Sequence, residues 1–194
     1  MINKIILASK SGVRKKILEE NSIECIVMPS NVDEDMVKES LLKSNASPEI
    51  ISKNLAELKA NKISIKKPED LVLGADSVID LKGELISKPT SREEAISILK
   101  KLNGQKHQLI SSVCLSKNGS MIWNFTDKSN LTMKQLNLDE IKSYLTNIKD
   151  EELYAYGVYQ IEANGRALFS EIEGDENTIM GLPIKQIKEY LKNL

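Results

Sequence analysis

Arginine, cysteine, histidine and aromatic residues are all scarce in this chain, and each scarcity narrows what it can be. Two cysteines among 194 residues, Cys25 and Cys114, sit in apolar extended runs without the paired spacing of a zinc or redox motif, so both read as core thiols. No apolar run approaches the roughly twenty residues of a membrane span. The opening Met1-Ile2-Asn3-Lys4 reads as the lead into a strand rather than a signal peptide, so a cytoplasmic protein is expected. Neither sign of charge is in excess. With 27 basic against 28 acidic side chains, nothing favours a nucleic-acid or membrane surface, and an anionic partner must be met locally. Only Arg14, Arg92 and Arg166 are arginines, which makes an Arg in the opening loop stand out from a Lys-rich background. The single histidine, His107, reads as a structural hydrogen-bonding residue at a strand start.

What is present is an α/β rhythm without repeats, linkers or composition shifts, so one domain over 1–194 is expected. Apolar extended runs at 4–8, 25–29 and 71–80 alternate with helical periodicity at 13–20, 48–63 and 91–102. The last of these opens with Ser91 and Glu94 in capping-box spacing and carries Ala95, Ile98, Leu99 and Leu102 on one face. The second half predicts strands at 108–117, 121–136 with a break, 157–162 and 167–173. It also predicts a helix near 138–148 and a final helix after Gly181-Leu182-Pro183 with Ile184, Ile187, Leu191 and Leu194 inward. The expected architecture is an elongated mixed sheet flanked by helices.

Several polar residues interrupt this pattern where chemistry could sit. Leu7-Ala8-Ser9-Lys10-Ser11-Gly12-Val13-Arg14 runs from a strand through a small polar turn into a helix start. There free N–H groups and the helix dipole would face an anion, with Ser hydroxyls and Arg14 completing the cradle; taken alone such a turn is more often just a helix cap. Leu71 to Ser77 reads as a buried strand ending on Asp76, placed to orient water or bind a metal, or simply to cap a turn. Lys59, four residues after Leu55, falls beside the apolar stripe of its helix and must snorkel or face an anion. Lys88 precedes Pro89 and by itself reads as a loop charge. Glu34, in Asp33-Glu34-Asp35, belongs to an acidic loop that could lend an oxygen to a divalent cation. Trp123 and Phe125 read as core or dimer surface, while Tyr154, Tyr156 and Tyr159 lie close to Glu162.

In this order the pieces resemble the Maf family, nucleoside triphosphate pyrophosphatases once described as septum-formation inhibitors. The resemblance runs through Ser9 to Arg14, Val32-Asp33-Glu34, Leu55 to Ala60, Gly74-Ala75-Asp76-Ser77, Lys88-Pro89, Asn103 to His107, Gly157 to Glu162 and Gly181-Leu182-Pro183. It implies two lobes with a central cleft, a fold related to the inosine triphosphate pyrophosphatases, and a homodimer. It implies Asp76 as the catalytic acidic residue, and Ser9, Ser11, Arg14, Lys59 and Lys88 around the phosphates. It also implies Glu34 with Asp76 around a divalent metal, Mg²⁺ or Mn²⁺. The reaction would be hydrolysis of the α–β phosphoanhydride of a canonical or modified nucleoside triphosphate, a house-cleaning role. Two alternatives stand beside it: an inosine triphosphate pyrophosphatase, against which Ser9 and Ser11 argue, and a nucleotide-binding regulator of cell division without turnover. Base choice is left open, because three positions disagree. Val13 replaces the Arg or Trp of known members, Ser77 is nearest the Thr of the pyrimidine group, and Glu162 stands where pyrimidine-type members have Gln.

Overall fold

In a computed structural model, residues 4–194 are described. Residues 1–3, expected to lead into the first strand, lie outside them. The elements run β1 (Lys4–Leu7), α1 (Gly12–Glu20), β2 (Glu24–Val27), α2 (Glu34–Lys43), α3 (Pro48–Ser64), β3 (Val72–Leu81), β4 (Glu84–Ile86), α4 (Arg92–Leu102), β5 (Lys106–Lys117) and β6 (Ser120–Met133). Then follow α5 (Leu138–Thr146), α6 (Asp150–Tyr156), a 3₁₀ turn at Asn164–Leu168, β7 (Phe169–Glu173), α7 (Glu176–Ile179) and α8 (Ile184–Lys192). The seven strands form one mixed sheet in the order β2-β1-β3-β5-β6-β7, with β4 paired to β3. Among the described residues the parallel pairs are β1–β2 and β1–β3.

The first part of the sheet is covered on both faces, which is why its strands read as unbroken apolar runs. Ile5, Leu7, Leu73 and Ala75 pack with α1 and α8, whereas Ile6, Ala8 and Val72 pack on Ala56, Ala60 and Ile63 of α3. A second core gathers α4, α5 and α6 over the far end of β3, β5 and β6, around Leu99, Leu102, Leu109, Leu131, Ile141 and Leu153.

Gly74 sets the distance between α3 and β3. A Cβ there would lie 2.1 Å from the Ala56 carbonyl oxygen and 2.9 Å from the Ala60 Cβ, so only glycine permits this approach. The outer hairpins are closed by Lys82-Gly83 and Asn118-Gly119, all four residues at positive φ, the conformation two-residue hairpin turns require.

One interruption in the sheet matters more than any element. On one edge, β3 pairs with β1 only at Val72 and Leu73, and with β4 only from Ile79 to Leu81. Its other edge is paired to β5 throughout Val72–Asp80. Residues 74–78 therefore have a strand neighbour on one side alone, and the loops leaving β1 and β4 both open onto that gap.

The structure corrects several expectations. The acidic stretch at Glu34 is the start of a helix, with the Asp33 side chain accepting from the Met36 N–H. Strand β3 spans Val72–Leu81, as the run expected at 71–80 has it, so Asp76 lies within the strand and not at its end. Strand β6 is continuous from Ser120 to Met133, and the break appears as register shifts opposite Leu115/Ser116 and between Thr132 and Met133. Residues 157–162 form no strand: Val158, Tyr159 and Ile161 are buried in an irregular loop. Leu194 is 56% exposed rather than inward. Ser91 caps α4, but Glu94 reaches one residue further back, to the N–H and hydroxyl of Thr90, so the reciprocal half of the box is not made. Cys114 is buried as expected, whereas Cys25, on the edge strand β2, is only half-buried.

Candidate active site

A cavity of about 880 Å³ opens on the gap in β3 and gathers Ser9, Ser11, Val13, Arg14, Glu34, Lys59, Asp76, Ser77, Lys88 and Glu162. All ten residues expected to form the site thus line one space, although they are spread from residue 9 to residue 162.

Its centre is an ion-paired triad. Lys59, 7% exposed, places its Nζ 2.8 Å from Asp76 Oδ1 and 2.7 Å from Glu34 Oε1. Helix α3 carries Lys59 on its buried face, and the close approach at Gly74 brings that face onto the side of β3 that bears Asp76. Ser52, two turns earlier on α3, donates its hydroxyl to the Asp76 carbonyl and fixes the same contact at 3.1 Å. Asp76 is 5% exposed, and burial pushes its carboxyl above the usual aspartate value, with Lys59 opposing and Glu34 adding to the rise. Glu34 moves the other way: burial works against its charge, but Lys59 above all holds its carboxyl below the usual glutamate value. Asp76 Oδ2 is buried and has no hydrogen-bond partner.

Arg14 fills the gap itself. Its Nε donates to the Gly181 carbonyl (2.9 Å), Nη1 to Ala75 O (3.1 Å) and Ser9 Oγ (3.2 Å), and Nη2 to Ser77 Oγ (3.1 Å). Four of the five guanidinium N–H groups are thereby engaged by the protein. The Ala75 carbonyl, which would meet a strand partner in an unbroken sheet, meets Arg14 instead. Arg14 thus ties the opening loop, β3 and the loop before α8 together, and one N–H is left over.

The turn ahead of α1 has the expected cap. Ser11 Oγ accepts from the Arg14 N–H at 3.3 Å, and Ser9 Oγ accepts from the Ser11 N–H at 3.2 Å. Both hydroxyl protons stay available for an anion, as do the first N–H groups of the helix. Lys88, just beyond β4, faces the same space; burial within the cavity lowers its ammonium from the usual lysine value, and Glu34 works against that change.

The positions expected to choose the base behave differently from one another. Ser77 Oγ is occupied by Arg14 and by Ser111 at 2.9 Å, so it braces the site. Val13 is half-buried against the core of α1 and α8. Glu162 is exposed on the cavity rim, near Tyr144. Tyr154 and Tyr156 are exposed on the wall, whereas Tyr159 is buried, its hydroxyl 2.9 Å from Nε2 of His107, the structural role expected of that histidine. Trp123 stacks on Tyr190 at 4.9 Å outside the cavity. Among the charged lining residues, Lys38 of α2 was not singled out in the sequence. Its signal, the i,i+4 spacing from Glu34, exists only once α2 is recognised as a helix.

The fold and this cavity define an α/β protein with an anion-accepting cleft built around a Lys–Asp–Glu triad. The family model described as Maf-like protein matches residues 4–194, and the chain belongs to that family. It is 70% identical over 192 residues to a nucleoside triphosphate pyrophosphatase of Pelagibacter ubique (strain HTCC1062), covering 99% of this chain and 98% of that protein. It is 38% identical over 192 residues to a 7-methyl-GTP pyrophosphatase of Brucella abortus, covering 99% and 96%. Among solved structures, a HAM1 protein from Coxiella burnetii superposes with a TM-score of 0.50 at 12% identity, over 98% of this chain and 99% of that one, which speaks to the fold alone.

Proposed function

We infer that the chain is a nucleoside triphosphate pyrophosphatase that splits the α–β phosphoanhydride to release nucleoside monophosphate and pyrophosphate, a house-cleaning hydrolase. The observation that carries this reading is the buried Lys59–Asp76 pair facing an anion-accepting helix start across one cavity. The names of its relatives point the same way. Phosphoanhydride hydrolysis demands little covalent chemistry from the protein; it asks for an aligned water and for positive charge where the departing oxygen becomes negative. Asp76 supplies the first, as the acceptor that orients and deprotonates the attacking water. Burial suits it to the task, because a carboxylate stripped of water accepts a proton more readily than an exposed aspartate. Lys59 fixes the carboxylate in place and neutralises it, Lys88 meets the phosphates, and the Ser9 and Ser11 hydroxyls with the first N–H groups of α1 donate to phosphate oxygens.

A divalent cation, Mg²⁺ or Mn²⁺, fits these residues. The partnerless Asp76 Oδ2 is a free anionic ligand, and Glu34 brings a second carboxylate to the same Lys59. Among the described residues no group of three His, Cys, Asp or Glu side chains could hold a metal by itself, so phosphate oxygens and water would complete the shell, as Mg²⁺ commonly requires. When bound, the ion would screen the phosphate charge and polarise the scissile bond. The test is pyrophosphate release from a panel of nucleoside triphosphates with and without Mg²⁺ or Mn²⁺. No observation favours a regulator without turnover.

A further inference from the structure

Helix α2 brings a cation to the cavity that none of the recognised motifs contains. The Lys38 side chain is 14% exposed, yet its Nζ stops 3.9 Å from Glu34 Oε2 and 3.8 Å from Asp35 Oδ1, and it makes no hydrogen bond to the described residues. Other lysines paired at i,i+4 stay solvated whether the contact is long or short: Lys15 and Lys16 lie 3.5 and 3.7 Å from Glu19 and Glu20, Lys43 and Lys53 2.7 and 2.5 Å from Glu39 and Glu49, with side chains 47%, 74%, 74% and 45% exposed. Those are ordinary solvated pairs, worth little. Lys38 has given up solvent for no more than its two long ion pairs to Glu34 and Asp35.

What it gains is a place in the lining of the cavity that also holds Lys88. Burial above all disfavours the charged form of Lys88, and the charges of Arg14 and, to a smaller extent, Lys38 add to that. Within the cavity, Arg14, Lys38, Lys59 and Lys88 face only two enclosed carboxylates, Glu34 and Asp76; Asp33 caps its helix and the Asp35 side chain is 98% exposed. A surplus of cations enclosed this way is unfavourable unless an anion of more than one charge enters. Helix α2 packs chiefly on α3 and has no fully buried residue, so Lys38 is carried by an element with little else to hold it. The apolar wall suited to a base is built elsewhere, by Ile79, Leu109, Val158, Ile161 and Ile179.

We propose that Lys38 is a further substrate-binding residue, which grips the phosphates beyond the scissile bond, the part that leaves as pyrophosphate. This rests on the pyrophosphatase reading, which fixes the order nucleoside, α phosphate, leaving group. When that anion binds, Lys38 exchanges its two long contacts to Glu34 and Asp35 for direct contacts to phosphate oxygens.

The test compares wild type with Lys38→Gln and Lys38→Arg in two assays. In steady-state kinetics Lys38→Gln raises KM for the triphosphate about tenfold, as loss of one charge-assisted contact would, with kcat within about threefold, and Lys38→Arg recovers most of the affinity. By calorimetry, inorganic pyrophosphate binds Lys38→Gln about tenfold more weakly than wild type, while a nucleoside monophosphate binds both alike. Unchanged pyrophosphate affinity, or equal weakening of pyrophosphate and monophosphate, would overturn the proposal. Because calorimetry needs no turnover, a wild-type chain that hydrolyses nothing would remove the hydrolase reading and leave the pyrophosphate comparison to decide Lys38.

Discussion

Lys59 Nζ lies 2.8 Å from Asp76 Oδ1, both side chains nearly sealed from water, and this contact joins the longest helix to the strand at the middle of the sheet gap. Its consequences for stability and for chemistry can be separated by mutation.

Removing the ammonium while keeping the stem strands two carboxylates in a poorly solvated space. Lys59→Met is therefore expected to lose about 3 kcal/mol of unfolding free energy and nearly all turnover. Urea unfolding checks the first, and a stability within about 0.5 kcal/mol of wild type would show that water already solvates the pair.

Gly74 sets the distance on which that pair depends. Gly74→Ala forces a Cβ against the Ala56 carbonyl and the Ala60 backbone, which cannot swing aside as a side chain could. A loss of at least about 2 kcal/mol is expected, with activity falling further than stability as α3 lifts away from Asp76. A variant with wild-type Tm and turnover would contradict the assigned spacing.

Arg14 distinguishes a clamp from a phosphate ligand. Because its donors go to Gly181, Ala75, Ser9 and Ser77, Arg14→Lys, which cannot reproduce the fork, should cost about 1–3 kcal/mol of stability even without nucleotide. If Arg14 served only phosphate, thermal unfolding of the free protein would be unchanged and KM alone would rise.

His107 gives the pH dependence. Burial lowers it from 6.5 to about 4, so the folded protein keeps it neutral while the unfolded chain takes up a proton. Its stabilising contribution is whole above pH 6.5 and fades as pH falls towards 4, an effect of about 1.5–3 kcal/mol across that window. Chemical unfolding at stepped pH should show a steeper decline for wild type than for His107→Gln, and the single histidine can be titrated directly by NMR. Parallel pH curves for the two proteins would place that proton elsewhere.

The parts of the fold visible in the sequence are those whose burial leaves a periodic trace. Helix α4, with Ala95, Leu99 and Leu102 inward behind a Ser91 cap, and the strands of the doubly covered region are examples. Helix α2 left no trace because none of its residues is fully buried, and the acidic residues that open it look the same in a solvated loop. The loop at 157–162 misleads for the opposite reason: Tyr159 and Ile161 alternate and are buried, but no strand lies beside them. At the site, residue types and their order pointed to Asp76, Lys59, Glu34 and Lys88, which the fold brings into one cavity. The bracing contacts of Arg14 could not be read, since the Gly181 carbonyl that holds it lies 167 residues away.

The most direct test of the central claim is pyrophosphate release from a panel of nucleoside triphosphates, including the thymidine, inosine and 7-methylguanosine forms, by wild type and Asp76→Asn. The account predicts turnover by wild type and a loss of at least about a hundredfold in Asp76→Asn, with nucleotide binding retained. Near-wild-type activity in Asp76→Asn would contradict it.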